Sequence, residues 1–149
     1  MSDDIALKRI LVPVDGSDSS FQAAKFAIKL AKMAEAEIIF MHAVVNPPYV
    51  DYTTPGNVVV RYIEEAKRHA EKWFSDLGGL AEKSGVSFSS EAVLDIASAS
   101  DSIVNYAEGK KADLIVMGTK GRTGLKRFLL GSVASGVLAH AKCSVLVVR

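Results

Sequence analysis

A single cysteine, Cys143, stands in the chain, which excludes an intrachain disulfide and a cysteine-based zinc cluster. It falls in an apolar run, and a buried, inert thiol is the expectation. Aromatic residues are scarce at 7%, and of the four prolines three crowd between Asn46 and Asn57. Charge of either sign hardly prevails: the formal sum is +1, so nothing pulls the whole chain toward nucleic acid or a membrane surface, and any anion site has to be local. No apolar run approaches the roughly 18 residues of a membrane span. The opening Met1-Ser2-Asp3-Asp4-Ile5 carries acid where a secretory leader carries base. The expectation is a cytoplasmic protein without nucleic-acid or membrane partners. What the chain does have is apolar bulk, 49% of 149 residues, enough to bury the core of one domain spanning residues 1–149.

That bulk is arranged in alternating short runs and longer periodic segments. Ile10 to Val14 is a β-branched run ended by the turn signal Asp15-Gly16-Ser17, with Pro13 near its end. Residues 18–34 are helical by pattern, with Ala23, Ala27, Leu30, Ala31 and Ala34 on one face. Residues 37–45 are apolar on both faces, as buried parallel strands are. Residues 46–57 form a long loop, of a length that suits a segment closing over a ligand. A long helix follows with Ile63, Ala66, Ala70, Trp73, Leu77 and Leu80 as its apolar face, ending near Gly85. Residues 86–94 alternate, which suggests an exposed edge strand. A helix over 98–109 with Ser98 as cap, a strand over 112–117, a helix near 132–141 and a strand over 144–148 complete the pattern.

Strands alternating with helices predict an α/β fold: an open five-stranded parallel sheet, doubly wound with helices on both faces. Right-handed crossovers leave few topologies, and the order expected is 3-2-1-4-5. Ligands in such sheets sit beyond the C-terminal strand ends, where the strand order reverses. Two notable loops fall at such ends: Asp15-Gly16-Ser17 after the first strand, and the glycine-rich, basic stretch from Gly118 to Ser132 after the fourth. Glycines let backbone approach a ligand, and a helix N-terminus beyond them offers free N–H groups to phosphate. The stretch lacks the Gly-x4-Gly-Lys of a P-loop, and no Gly-x-Gly-x-x-Gly follows the first strand. What stands is Gly118-x2-Gly121-x9-Gly131-Ser132.

This spacing resembles the nucleotide signature of the universal stress protein family. So do the start, Ile10-Leu11-Val12-Pro13-Val14-Asp15-Gly16-Ser17, the run Ala112 to Gly118, and the close, Cys143 to Arg149. The resemblance covers essentially the whole chain and implies the branch of the family that binds ATP. It implies that Pro13, Val14 and Asp15 line the nucleoside pocket and that the backbone at Ala43 and Val44 meets adenine. Met117, Gly118 and Gly121 would approach ribose and phosphates, and Gly131, Ser132 and Val133 would receive phosphate at the helix N-terminus. Asp15 can accept from ribose hydroxyls or an adenine amine. Lys120, Arg122, Lys126 and Arg127 would offset triphosphate charge, with Mg²⁺ accompanying the phosphates. The family's usual assembly is a homodimer through the last strand, here Ser144 to Val148. One departure stands out: where the family often has a glycine, this chain reads Leu94-Asp95-Ile96-Ala97.

Plainer roles compete at each position. The glycines could only turn the chain, Ser132 could only cap a helix, Asp15 could only satisfy its own turn, and the basic residues could be a solvated face. His42 is expected to be packed or hydrogen-bonded rather than a metal ligand, and Trp73 to pack in the core or an interface. Two functions are weighed. The first is a regulatory protein that holds ATP or AMP, hydrolyses it slowly or not at all, and signals to a protein partner. The alternative is an ATP-hydrolysing or adenylating enzyme related to the ATP pyrophosphatases, whose first loop Asp15-Gly16-Ser17-Asp18-Ser19-Ser20 nearly matches.

Overall fold

The computed structural model describes residues 6–47, 49–95, 97–119 and 130–149. Strands and helices alternate as β1 (Arg9–Pro13), α1 (Asp18–Ala34), β2 (Glu37–Val44), α2 (Gly56–Lys83), β3 (Phe88–Leu94), α3 (Ala99–Gly109), β4 (Leu114–Gly118), α4 (Ser132–His140) and β5 (Ser144–Val148). The strands pair in parallel in the order β3-β2-β1-β4-β5, the order expected.

The period of two along a strand divides the apolar residues between two cores. Ile10, Val12, Ile38, Phe40 and Val116 face α1 and α2, where they meet Ala23, Ala27, Ala31, Ala70, Phe74 and Leu77. Leu11, Ile39, Met41, Ile115 and Met117 face the other way, against Ile103 and Ala107 of α3 and Ala134 and Val137 of α4. Each large side chain so buried contributes about 1.5–3 kcal/mol. Buried alanines on α1 bring its backbone close to the sheet. The Ser17 hydroxyl caps α1 by accepting from Ser20 N at 3.1 Å, and Asp18 sits in its positive first turn.

Several boundaries differ from the sequence reading, each for a local reason. α2 begins at Gly56, inside the stretch read as loop, with Pro55 as its N-cap residue. β3 begins at Phe88, because Val86 N still bonds back to Ala81 O at the helix end. β4 begins at Leu114 because the Asp113 carboxylate accepts from Lys8 N at 2.8 Å and Arg9 N at 2.9 Å, fastening the chain before the strand starts. On α2 the buried stripe is Ala70, Phe74, Leu77 and Ala81, while Leu80 is 38% exposed. The steps of four, three and four follow the 3.6-residue turn, and Leu80 falls to the side of them. Cys143 is half-buried rather than buried, and that burial pushes its thiol pKa up. β3 is an edge strand, as its alternation suggested.

Candidate functional site

Pro13 shapes the sheet at the point where its order reverses. Val14 N donates to Met41 O of β2, so the nitrogen of the preceding residue points the other way, toward β4. That residue is a proline and has no N–H to give. Pairing of β1 with β4 runs through Ile10↔Leu114 and Leu11↔Ile115, whereas pairing with β2 continues to Pro13↔Met41. The strands part on the β4 side, and an open cavity lies beyond the gap.

The walls come from six elements, α1 among them through Ser20. Pro13, Val14 and Asp15 continue from β1; His42 and Ala43 close β2; Met117, Gly118 and Thr119 close β4. The N-terminus of α4 supplies Gly131 to Ala134, and α3 supplies Ala99 and Ile103. Asp15 Oδ1 accepts from Ser17 N at 2.9 Å and Ser17 Oγ at 2.5 Å, so the carboxylate does hold its own turn. An ionised carboxylate has about four acceptor positions, and Asp15 lines the cavity. Gly118 is needed for close approach: a Cβ there would overlap Ser19 Oγ and stand 2.7 Å from Ser19 O. At the far side Gly131 N donates to Thr119 O at 2.7 Å, which clasps the end of β4 to the start of α4. Gly131 is the N-cap residue of α4, and its carbonyl accepts from Ser135 N. The first amides of the helix, at Ser132, Val133 and Ala134, have no partner within the helix and lie on the cavity wall.

Of the residues singled out from sequence, Pro13, Val14, Asp15, Ala43, Met117, Gly118, Gly131, Ser132 and Val133 come together around this one space. Val44 is buried behind the wall, with its carbonyl accepting from Asp95 N at 3.3 Å. Gly121 and Arg122, with Lys120, Lys126 and Arg127, lie outside the described residues. In the stretch that departs from the family's glycine, Asp95 Oδ1 accepts from Ala97 N at 3.0 Å. Sequence reasoning missed Ser20, His42, Thr119, Ala99, Ile103 and Ala134 as wall residues. Thr119 lies inside the glycine signature and Ala134 two residues past its end, so both could have been found from it. Ala99 and Ile103 could not, because only tertiary packing brings α3 there. His42 is hydrogen-bonded as expected, with Nδ1 2.7 Å from Val14 O. Among the described residues no cluster of three or more His, Cys, Asp or Glu could hold a metal, and no helix is long and apolar enough to cross a membrane.

A model of the universal stress protein family matches residues 6–149. A universal stress protein of Methanocaldococcus jannaschii is 42% identical over 142 residues, covering 95% of this chain and 82% of that one. The solved universal stress protein UspA of Lactobacillus plantarum superposes with a TM-score of 0.86 at 28% identity, over 96% of this chain and 98% of its own. A universal stress protein solved in complex with cAMP superposes with a TM-score of 0.73 at 26% identity, covering 97% and 98%. The chain belongs to the universal stress protein family.

Proposed function

We propose that this member of the universal stress protein family is a regulatory binder of adenine nucleotides, ATP or AMP, with slow or no hydrolysis. One observation carries the reading: the Asp15 turn, the end of β4 and the free amides of α4 converge on a single cavity at the point where the strand order reverses. The cAMP complex of a relative supports the ligand class. In this reading the nucleoside lies against Pro13, Val14 and Asp15, with adenine at the backbone of Ala43 and Val44. Phosphates reach Met117, Gly118 and Gly121, then Gly131 and the α4 amides at Ser132 and Val133, with Arg122 offsetting their charge. Any Mg²⁺ would arrive with the phosphates and be held through them. Asp15 is committed first to its turn, which favours binding over turnover. Such a role belongs in the cytoplasm, where adenine nucleotides are abundant.

The reading is tested by calorimetric titration with ATP and with AMP. Saturable one-site binding is expected, and Asp15→Ala should weaken it at least about tenfold, the scale of one hydrogen bond to a charged group. Unchanged affinity in a folded variant would refute the role of Asp15, and no binding to the unaltered protein would refute the function.

The same proposal includes a homodimer through β5. This strand closes one edge of the sheet, and Val145 to Val148 are only partly covered by the chain itself. An apolar edge with unpaired backbone groups tends to find a partner strand. Light scattering at micromolar concentration should give twice the chain mass, and a folded monomer would sink this part of the proposal.

A further inference from the structure

The turn that opens the site is covered by a side chain from a distant helix. Gly16 has φ +83°, and a Cβ built on it would overlap the indole of Trp73, with Cε2 at 2.8 Å and Cη2 at 3.0 Å. The same indole meets the His42 ring edge-on, with centroids 5.1 Å apart and planes at 87°. His42 in turn bonds the Val14 carbonyl and lines the cavity. Val14 and Gly16, on either side of Asp15, thus meet a pair of packed rings. One ring belongs to the sheet. The other belongs to α2.

α2 has two unlike halves. Ala70, Phe74, Leu77, Gly78 and Ala81 are buried, whereas none of residues 56–69 is. A helix joining two parallel strands runs against them, so the N-terminal half of α2 rises past the C-terminal strand ends, on the side of the cavity. At 1.5 Å per residue, the stretch from Gly56 to Trp73 is about 25 Å long. Helices in proteins are held chiefly by packing of their apolar face, and in this helix that packing starts at Ala70, one turn from the indole that covers Gly16.

We propose that Trp73 is a positioning residue that sets the Asp15-Gly16-Ser17 turn for nucleotide and passes the occupancy of the site to residues 56–69 of α2. The proposal rests on the nucleotide-binding reading and names the regulation of that site. Coupling of this kind is reciprocal. If nucleotide steadies the upper half of α2 through Trp73, then loosening the Trp73 contact weakens nucleotide binding in turn.

The experiment combines hydrogen exchange of residues 56–69, with and without AMP, and calorimetry with AMP. It uses the unaltered chain, Trp73→Ala, Trp73→Phe and Leu77→Ala. In the unaltered chain AMP should slow exchange across 56–69 at least threefold. Trp73→Ala should lose that protection and bind AMP at least fivefold more weakly, and Trp73→Phe should recover most of both. Leu77→Ala loosens the buried half of the same helix without touching the turn, so it should lower thermal stability yet keep affinity within about twofold. Equal loss of affinity in Trp73→Ala and Leu77→Ala would reduce Trp73 to a packing residue and overturn the proposal, as would unchanged protection in Trp73→Ala. Should Trp73→Ala not fold, a Gly16→Ala chain, whose added Cβ would meet the indole, overturns it if its exchange across 56–69 and its AMP affinity are both unchanged. Failure of the unaltered protein to bind AMP or ATP would instead strike the nucleotide reading itself.

Discussion

Gly118→Ala is expected to lose most of its nucleotide affinity and to melt measurably lower. The added Cβ would stand 2.7 Å from Ser19 O and 2.8 Å from Ser19 C, backbone atoms that cannot rotate aside as a side chain could. Either the end of β4 retreats or the first turn of α1 is pushed away. Overpacking of this kind costs about 1–3 kcal/mol, which for a domain of this size lowers the melting temperature by roughly 2–12 °C. The displaced turn is also part of the site. Ser20 Oγ donates to Ser17 O at 2.9 Å and lies 3.4 Å from Asp15 N, so a shift of Ser19 is felt at the carboxylate. We expect the dissociation constant for ATP to rise at least tenfold in calorimetry, alongside the loss in a thermal melt. Gly79→Ala is the control: nothing lies within 4 Å of its added Cβ, and in mid-helix the change should stabilise by about 0.5–1 kcal/mol with affinity unaltered. A Gly118→Ala protein that binds like its parent would remove the end of β4 from the site.

Phe40→Ala is expected to give the largest loss of stability and little loss of function per folded molecule. Phe40 is fully buried in β2, facing α1 and α2, with its ring 6.1 Å from that of Phe88. Truncation removes the transfer energy of the ring and leaves a cavity between a central strand and its helices, about 3–5 kcal/mol together. Against a total stability of about 5–15 kcal/mol, that is a large share, and the melting temperature should fall by roughly 6–20 °C. Phe40 takes no part in the cavity wall, so AMP affinity measured well below the new midpoint should stay within about twofold. Denaturant titration measures the first quantity and calorimetry the second. A stability change under 1 kcal/mol would mean that the two ring-bearing layers do not form the core described.

The fold was legible because its signals are one-dimensional. Runs such as Ile38 to Met41 are apolar at every position because both faces of a central strand are covered, and α/β alternation then fixes direction. The site was legible in part for the same reason: Asp15 and Gly118 sit at strand ends, and strand ends are where such sheets bind ligands. What escaped is three-dimensional. Pro13 read as a tolerable residue near a strand end, yet its effect depends on which neighbour its missing N–H faces. Trp73 read as one more apolar residue on a helix face; that it lies over Gly16 depends on how far α2 overshoots the sheet. Phe74 and Leu80 are equally apolar and both fit steps of three and four, and only the docked helix shows which of them is inside.

The clasp from Gly131 N to Thr119 O also bears on how this architecture can diversify. It joins Thr119 and Gly131, the residues on either side of the intervening segment. Closure entropy rises slowly with length, about 0.6 kcal/mol per doubling. An insertion between those two residues is then expected to cost little more than that closure, with the end of β4 and the start of α4 still joined by the same hydrogen bond.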